Sequence, residues 1–200
     1  MTAGESHHCS IHSEMFKNLE KAYREEGDSK TKFYLCFLDE WDTPAEATIK
    51  ALNEGASKII ICNVFLTQSN HSLEGEHQVK EILDEFDIPV YHAGPFWDSE
   101  TLKSMFVNRL NTRVGNSDKT DIGVLLVGHG QPDEWDKEFP TETEQELSFR
   151  YDIIDLFVNE GYNKENLSLA WMEFKAPKVE GKIKEFVNRK IQKVYYFQQR

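Results

Sequence analysis

The chain has 200 residues, enough for one large domain or two small ones whose core needs no disulfide bonds. Its 35 acidic and 23 basic residues give a formal net charge of −12. This excess argues against nucleic acid or an anionic membrane as a partner, because both bind through basic patches. Its three cysteines have no C-x-x-C spacing, and the sequence lacks both a signal pattern and an apolar run of about 18 residues. These features together predict a cytoplasmic protein.

Apolar periodicity predicts helices and strands that alternate along the chain. The helices are expected at 14–26, 43–54, 73–86, 99–114, 141–160 and 177–188. The strands, which are short apolar runs, are expected at 33–38, 58–66, 88–91, 124–127, 167–172 and 193–197. The helix after the first strand has the clearest start, because Thr43-Pro44-Ala45-Glu46 combines a capping box with proline at the first helical position. Such alternation indicates an α/β fold with a doubly wound parallel sheet.

The two halves of the chain resemble each other. Residues 37–65 align with residues 171–197, and this alignment places Pro44 on Pro177 and Glu40 on Glu173. A repeat of this length indicates a duplicated domain. We therefore expect two flavodoxin-like repeats, which occupy residues 1–114 and 121–200 and are joined by the polar linker GNSDKT at 115–120.

Four titratable residues lie just past the ends of the predicted strands. They are Glu40 after 33–38, His71 after 58–66, His129 after 124–127 and Glu173 after 167–172. Taken alone, His129 between two glycines is typical of a turn histidine bonded to the backbone. The carboxyl ends of neighbouring parallel strands lie at one edge of a sheet, however, and ligands bind there. Two imidazoles and a carboxylate at such an edge suit a divalent ion such as Co²⁺, Fe²⁺, Ni²⁺ or Zn²⁺.

The sequence resembles the class II chelatases, which include the small sirohydrochlorin cobalt- and ferrochelatases and the protoporphyrin ferrochelatases. The resemblance covers most of the chain at low similarity and depends on the order and spacing of four motifs. These are FLDEWDTP at 37–44, EGASKIIICNVFLTQSNH at 54–71, LLVGHG at 125–130 and WMEFKAP at 171–177. The resemblance implies a chelatase-like fold. It implies that His129, Glu173 and His71 bind the metal and that these three residues act with Glu40 in catalysis.

The implied reaction is insertion of Co²⁺, Fe²⁺ or Ni²⁺ into sirohydrochlorin or a similar carboxylated macrocycle, as in cobalamin or sirohaem synthesis. Two pyrrole N–H protons must leave while the ion sheds its waters, and imidazole and carboxylate groups suit both tasks. The resemblance implies no organic cofactor, because the metal is a substrate. The expected partners are therefore the tetrapyrrole and the metal ion, and a homodimer is compatible with this expectation.

The chain departs from the chelatase pattern at both ends. Residues 1–10 contain no apolar run that could form the first strand of the first repeat. The counterpart of His71 in the second half falls just past Arg200. We therefore expect the chain to be a piece of a longer two-repeat protein, with both halves incomplete. The alternative hypothesis is a non-catalytic tetrapyrrole- or metal-binding module with a degenerate chelatase fold.

Overall fold

The computed structural model describes residues 3–38 and 42–198, with side chains from residue 12 onward. Its helices are α1 (Ala3–Glu25), α2 (Pro44–Asn53), α3 (Asn70–Leu83), α4 (Glu100–Val114), α5 (Asp133–Glu138), α6 (Pro140–Asn159) and α7 (Val179–Asn188). Its strands are β1 (Ile59–Cys62), β2 (Val90–Ala93), β3 (Ile122–Gly128), β4 (Leu167–Trp171) and β5 (Lys193–Gln198). This mixed α/β architecture confirms the predicted fold class. No helix in the described ranges is long and apolar enough to cross a membrane.

The chain forms two compact units that differ from the predicted repeats in their boundaries. The first unit contains Met1–Ile61 and Leu73–Ala93, and the second contains Cys62–Ser72 and Gly94–Arg200. Helix α4, which the predicted division places in the first repeat, packs against α6 within the second unit. The compact units reflect which elements pack together in the structure. The predicted boundary between two duplicated repeats at 115–120 is a separate matter and stays a prediction.

The second unit is organised around a three-stranded parallel sheet with the order β4-β3-β5. Strand β3 is central and buried along its whole length, as its continuous apolar sequence predicts. Successive side chains of a strand point to opposite faces. Val124 and Leu126 therefore join one core with Phe149 of α6, and Leu125 joins a smaller core with Phe186 of α7. The sheet consequently has helices on both faces, and its carboxyl edge is left for loops.

The predicted strand at 33–38 is wrong. These residues have no strand assignment, and the sheet of the first unit contains only β1 and β2 among the described residues. The segment packs its rings against α1 instead. The Phe33 ring lies 5.2 Å from that of Tyr23 and 6.3 Å from that of Phe16, measured between centroids. An apolar run of six residues can satisfy its need for burial on a helix as well as in a sheet, and periodicity does not distinguish the two.

The capping box at the start of α2 is confirmed. The Thr43 hydroxyl accepts a hydrogen bond from the Glu46 amide at 3.3 Å, and the Glu46 carboxylate accepts one from the Thr43 amide at 2.8 Å. We expect Thr43→Ala to lower the free energy of unfolding of the first unit by about 1 kcal/mol, because the Glu46 amide loses the hydroxyl that accepts its hydrogen bond. Urea unfolding measures this loss. The control is Thr101→Ala in the exposed first turn of α4, and equal stability of both variants would contradict the prediction.

Candidate functional site at the carboxyl edge of the second sheet

His129 directly follows β3, and a backbone hydrogen bond sets its tautomer. Its Nδ1 lies 2.7 Å from the Gly130 carbonyl oxygen, which can only accept, so Nδ1–H is the donor. In the neutral ring the lone pair is then on Nε2, and the residue is exposed. His129 is thus bonded to the backbone and also presents a nitrogen that can accept a proton or bind a metal ion.

The glycines on both sides of His129 are required by close packing. Gly130 has a φ of +81°, and a Cβ atom there would lie 2.6 Å from the carbonyl oxygen of Glu173. A Cβ atom at Gly128 would lie 2.0 Å from Glu146 Oε1 and 2.8 Å from Arg150 Cζ. All three distances are shorter than van der Waals contact. The backbone on each side of the imidazole is therefore fixed by the end of β4 and by α6.

Glu173 lies beside His129, as the sequence predicts. The β3–β4 pairing pattern continues past the strands, because Met172 donates its amide to Gly128 O at 2.9 Å and Glu173 donates to His129 O at 3.0 Å. Both residues are exposed at the same carboxyl edge of the second sheet. The roles of His129 and Glu173 stay predictions. They lie side by side because β3 and β4 are neighbouring parallel strands that end at the same edge.

His71 lies in the first turn of α3, within residues 62–72 of the second unit. This segment is attached to α6, because the Gln68 amide donates to Gln145 Oε1 at 2.7 Å. A buried turn precedes the histidine, in which the Ser69 amide donates to Ser72 Oγ at 2.9 Å. The imidazole is exposed. The turn and the glutamine contact together place His71 near the N-terminal half of α6.

Glu142 lies within electrostatic reach of both histidines and was missed by the sequence analysis. It lies in the first turn of α6 and is half-buried. Burial raises the pKa of its carboxyl group, while the charges of His71 and His129 lower it. A single carboxylate therefore interacts with both imidazoles. The charges of two imidazoles thus act on one carboxylate, and the predicted grouping of His129, His71 and Glu173 stays a prediction.

Glu146 and Arg150 continue from Glu142 along the same face of α6 at intervals of four residues. Both are buried, and Arg150 Nη2 lies 3.6 Å from Glu146 Oε1. Arg150 also donates to Ala170 O at 3.0 Å, and its Cζ lies 3.9 Å above the Trp171 ring. Burial raises the pKa of Glu146 and lowers that of Arg150, and each charge opposes the shift of the other. Charged groups thus extend from the imidazoles into the interior of the second unit.

The loop after β3 is held to the loop after β4 by a buried polar cluster. Gln131 is 3% exposed, and its Nε2 donates to Asp136 Oδ1 at 2.7 Å and to Phe139 O at 3.0 Å. Asp136 in turn forms an ion pair with Lys175. The two loops that carry His129 and Glu173 are therefore connected through side chains as well as through the backbone.

Two parts of the predicted site are left open. Glu40 lies outside the described residues. Among the ranges that are described, no group of three or more His, Cys, Asp or Glu side chains is placed to hold a metal ion together. The predicted ligand set of His129, Glu173 and His71 therefore stays a prediction, while their common location in the second unit is observed.

The raised pKa of Glu142 gives a prediction for stability against pH. The folded state binds the Glu142 proton more tightly than the unfolded chain, whose glutamate has the ordinary pKa of 4.5. Ionisation therefore costs no stability below pH 4.5, and the cost grows as the pH rises through the folded pKa. We expect Glu142→Gln to be more stable than the wild type at pH 7, with the difference shrinking at pH 4. Urea unfolding at both pH values measures the difference.

Glu144→Gln is the matched control for this experiment, because Glu144 is an exposed residue of the same helix. It is expected to unfold like the wild type at both pH values. A Glu142→Gln variant that loses stability at pH 7 would show that the charged carboxylate stabilises the fold, contrary to the expectation.

The chain has a mixed α/β fold of the flavodoxin type. Among solved structures it is similar to SirB from Bacillus subtilis with Fe³⁺, with a TM-score of 0.66 and 14% sequence identity. The match covers 88% of this chain and 64% of SirB, so the chain spans less than two thirds of that protein. At this identity the likeness shows the fold alone. No family model and no curated protein matches the sequence.

Proposed function

We propose that the protein is a metal chelatase that inserts Co²⁺, Fe²⁺ or Ni²⁺ into sirohydrochlorin or a similar carboxylated tetrapyrrole. One arrangement carries this proposal: His129 lies beside Glu173 at the carboxyl edge of a parallel sheet, and the charges of His129 and His71 both act on the half-buried carboxylate of Glu142. The fold likeness to SirB, whose structure was solved with Fe³⁺, supports it further.

The proposed chemistry is removal of two protons from pyrrole nitrogens. The Nε2 lone pair of His129 accepts one proton from the macrocycle, and the His71 ring accepts the other. Each ring then becomes an imidazolium next to Glu142. Because burial raises the pKa of this carboxyl group, Glu142 is a stronger base than an exposed glutamate and can take the proton onward. One carboxylate holds one proton, so Glu142 passes the two protons to bulk water one after the other, and both rings are then neutral again for the next macrocycle.

The metal ion is a substrate in this proposal, and no organic cofactor takes part. His129, His71 and Glu173 offer nitrogen and oxygen ligands that suit Co²⁺, Fe²⁺ and Ni²⁺. The ion must leave the protein for four pyrrole nitrogens, so a small number of protein ligands suits transfer better than a closed ligand set. Glu40 is proposed as a further carboxylate for the reaction.

Absorption spectroscopy tests the proposal. Metal-free sirohydrochlorin is mixed without oxygen with Co²⁺, Fe²⁺ or Ni²⁺, and the bands of the metallated product are followed with and without a substoichiometric amount of protein. We expect the protein to accelerate insertion of at least one metal over many turnovers. A spectral shift of bound macrocycle without faster insertion would overturn the proposal and favour the non-catalytic binding module.

A further inference from the structure

Phe174 has an unusual backbone conformation for a bulky residue. Its φ is +57°, and it is the middle residue of a three-residue turn in which the Lys175 amide donates to Glu173 O at 2.6 Å. Turns of this kind with positive φ are rare and strained. At positive φ, a residue with a Cβ atom has a higher conformational energy than glycine.

The surrounding structure holds this turn from several sides. Glu173 donates its amide to His129 O at 3.0 Å, and Gly130 approaches Glu173 O so closely that a Cβ atom would be 2.6 Å from it. Lys175 is held by its ion pair with Asp136. Strained backbone conformations that the surroundings hold in place cluster at functional sites, where they fix the position of a side chain that contacts a ligand.

Burial of the ring does not offset the strain. Phe174 is 51% exposed and belongs to neither hydrophobic core of the second unit. Its ring centroid lies 6.0 Å from that of His129, with 50° between the ring planes. Met172, two residues earlier, is also 40% exposed. An apolar surface is thus presented to solvent next to the imidazole, where it contributes nothing to the core.

We propose that Phe174 is a positioning residue that stacks on the tetrapyrrole and holds it beside His129. This inference depends on the proposed chelatase function, because it assumes a macrocycle at this edge. A tetrapyrrole is a flat π-system, and aromatic rings stack at centroid distances of about 4.5–7 Å. The proton that His129 accepts lies on a nitrogen near the centre of the macrocycle. Holding the macrocycle plane at a fixed place beside the imidazole therefore sets the distance for proton transfer.

Four variants of this residue test the proposal, with metal-free sirohydrochlorin as the probe. Absorption titration gives the Kd, and insertion kinetics give KM and kcat. We expect Phe174→Leu and Phe174→Gly to raise the Kd and the macrocycle KM by about tenfold, since a lost stacking contact has roughly this effect. Phe174→Tyr and Phe174→Trp keep an aromatic ring and should bind like the wild type. The KM for Co²⁺ should be unchanged in all four.

Stability separates this role from a structural one. Phe174→Gly relieves the positive φ, so its urea midpoint should rise while its affinity for sirohydrochlorin falls. The control is Tyr151→Leu, because Tyr151 is a 56% exposed aromatic residue of α6, and its affinity should match that of the wild type. If Phe174→Leu and Phe174→Gly bind sirohydrochlorin as tightly as a wild type that inserts metal, the inference is overturned and the chelatase function stands. A wild type that neither binds nor metallates sirohydrochlorin would overturn both.

Discussion

Replacement of His129 by alanine is expected to slow Co²⁺ insertion into sirohydrochlorin by roughly 1000-fold, within the range that a lost general base costs. The variant removes the Nε2 that we propose accepts a pyrrole proton, and it removes one of the two imidazole charges that act on the Glu142 carboxylate. Initial rates at saturating macrocycle measure the effect. Urea unfolding of the same variant should match the wild type, because the ring is exposed.

The control for this prediction is His77→Ala. His77 is an exposed histidine of α3 whose Nδ1 lies 3.5 Å from Glu81. Its loss removes an imidazole of the same kind from outside the second unit, and insertion should continue at the wild-type rate. An His129→Ala variant whose rate stays within a factor of about two of the wild type would show that this imidazole takes no part in the reaction.

Replacement of Gly128 by alanine is expected to lower the free energy of unfolding by about 3 kcal/mol, the scale of a disrupted buried ion pair. The added methyl group would lie 2.0 Å from Glu146 Oε1 and 2.8 Å from Arg150 Nη2. Arg150 cannot move away easily, because it is 1% exposed, stacked on Trp171 and bonded to Ala170 O. The variant must therefore separate the two charges or shift the end of β3.

Gly181→Ala provides a control of the opposite sign. Gly181 lies within α7, and a Cβ atom there would have no neighbour within 4 Å. Alanine is favoured over glycine inside helices by about 0.5–1 kcal/mol, so this variant should be more stable than the wild type. Urea unfolding compares the two variants. Equal stability of Gly128→Ala and the wild type would show that the Glu146–Arg150 pair is less constrained than its burial indicates.

The sheet of the second unit could be predicted from sequence because its strands are short apolar runs, of which the central one is buried on both faces. The apolar run 124–127 and the runs at 167–172 and 193–197 all became strands, with the first in the centre. Parallel neighbours necessarily end at one edge, and this placed His129 beside Glu173 before any contact was known. The segment 33–38 is also a short apolar run, but it packs on α1, and which partner it packs on depends on residues distant in sequence.

Glu142 could not be found from the pattern alone. It belongs to the run Thr141-Glu142-Thr143-Glu144-Gln145, which is typical of a solvated helix start. Only the later residues of the same face distinguish it, because Glu146 and Arg150 follow at intervals of four among the apolar residues of α6 and are buried in the structure. The sequence does show charged residues at intervals of four on the core-facing side of α6. Their link to a site becomes visible only with the histidines that approach from other segments.

The most direct test of the account is a double-mutant cycle of His71→Ala and His129→Ala, measured as the rate of Co²⁺ insertion into metal-free sirohydrochlorin. If both imidazoles work on one macrocycle through Glu142, each single variant is severely impaired and the double variant is no slower than the worse of the two. Losses that multiply would show two independent sites. A double variant that inserts Co²⁺ at the wild-type rate would contradict the shared site altogether.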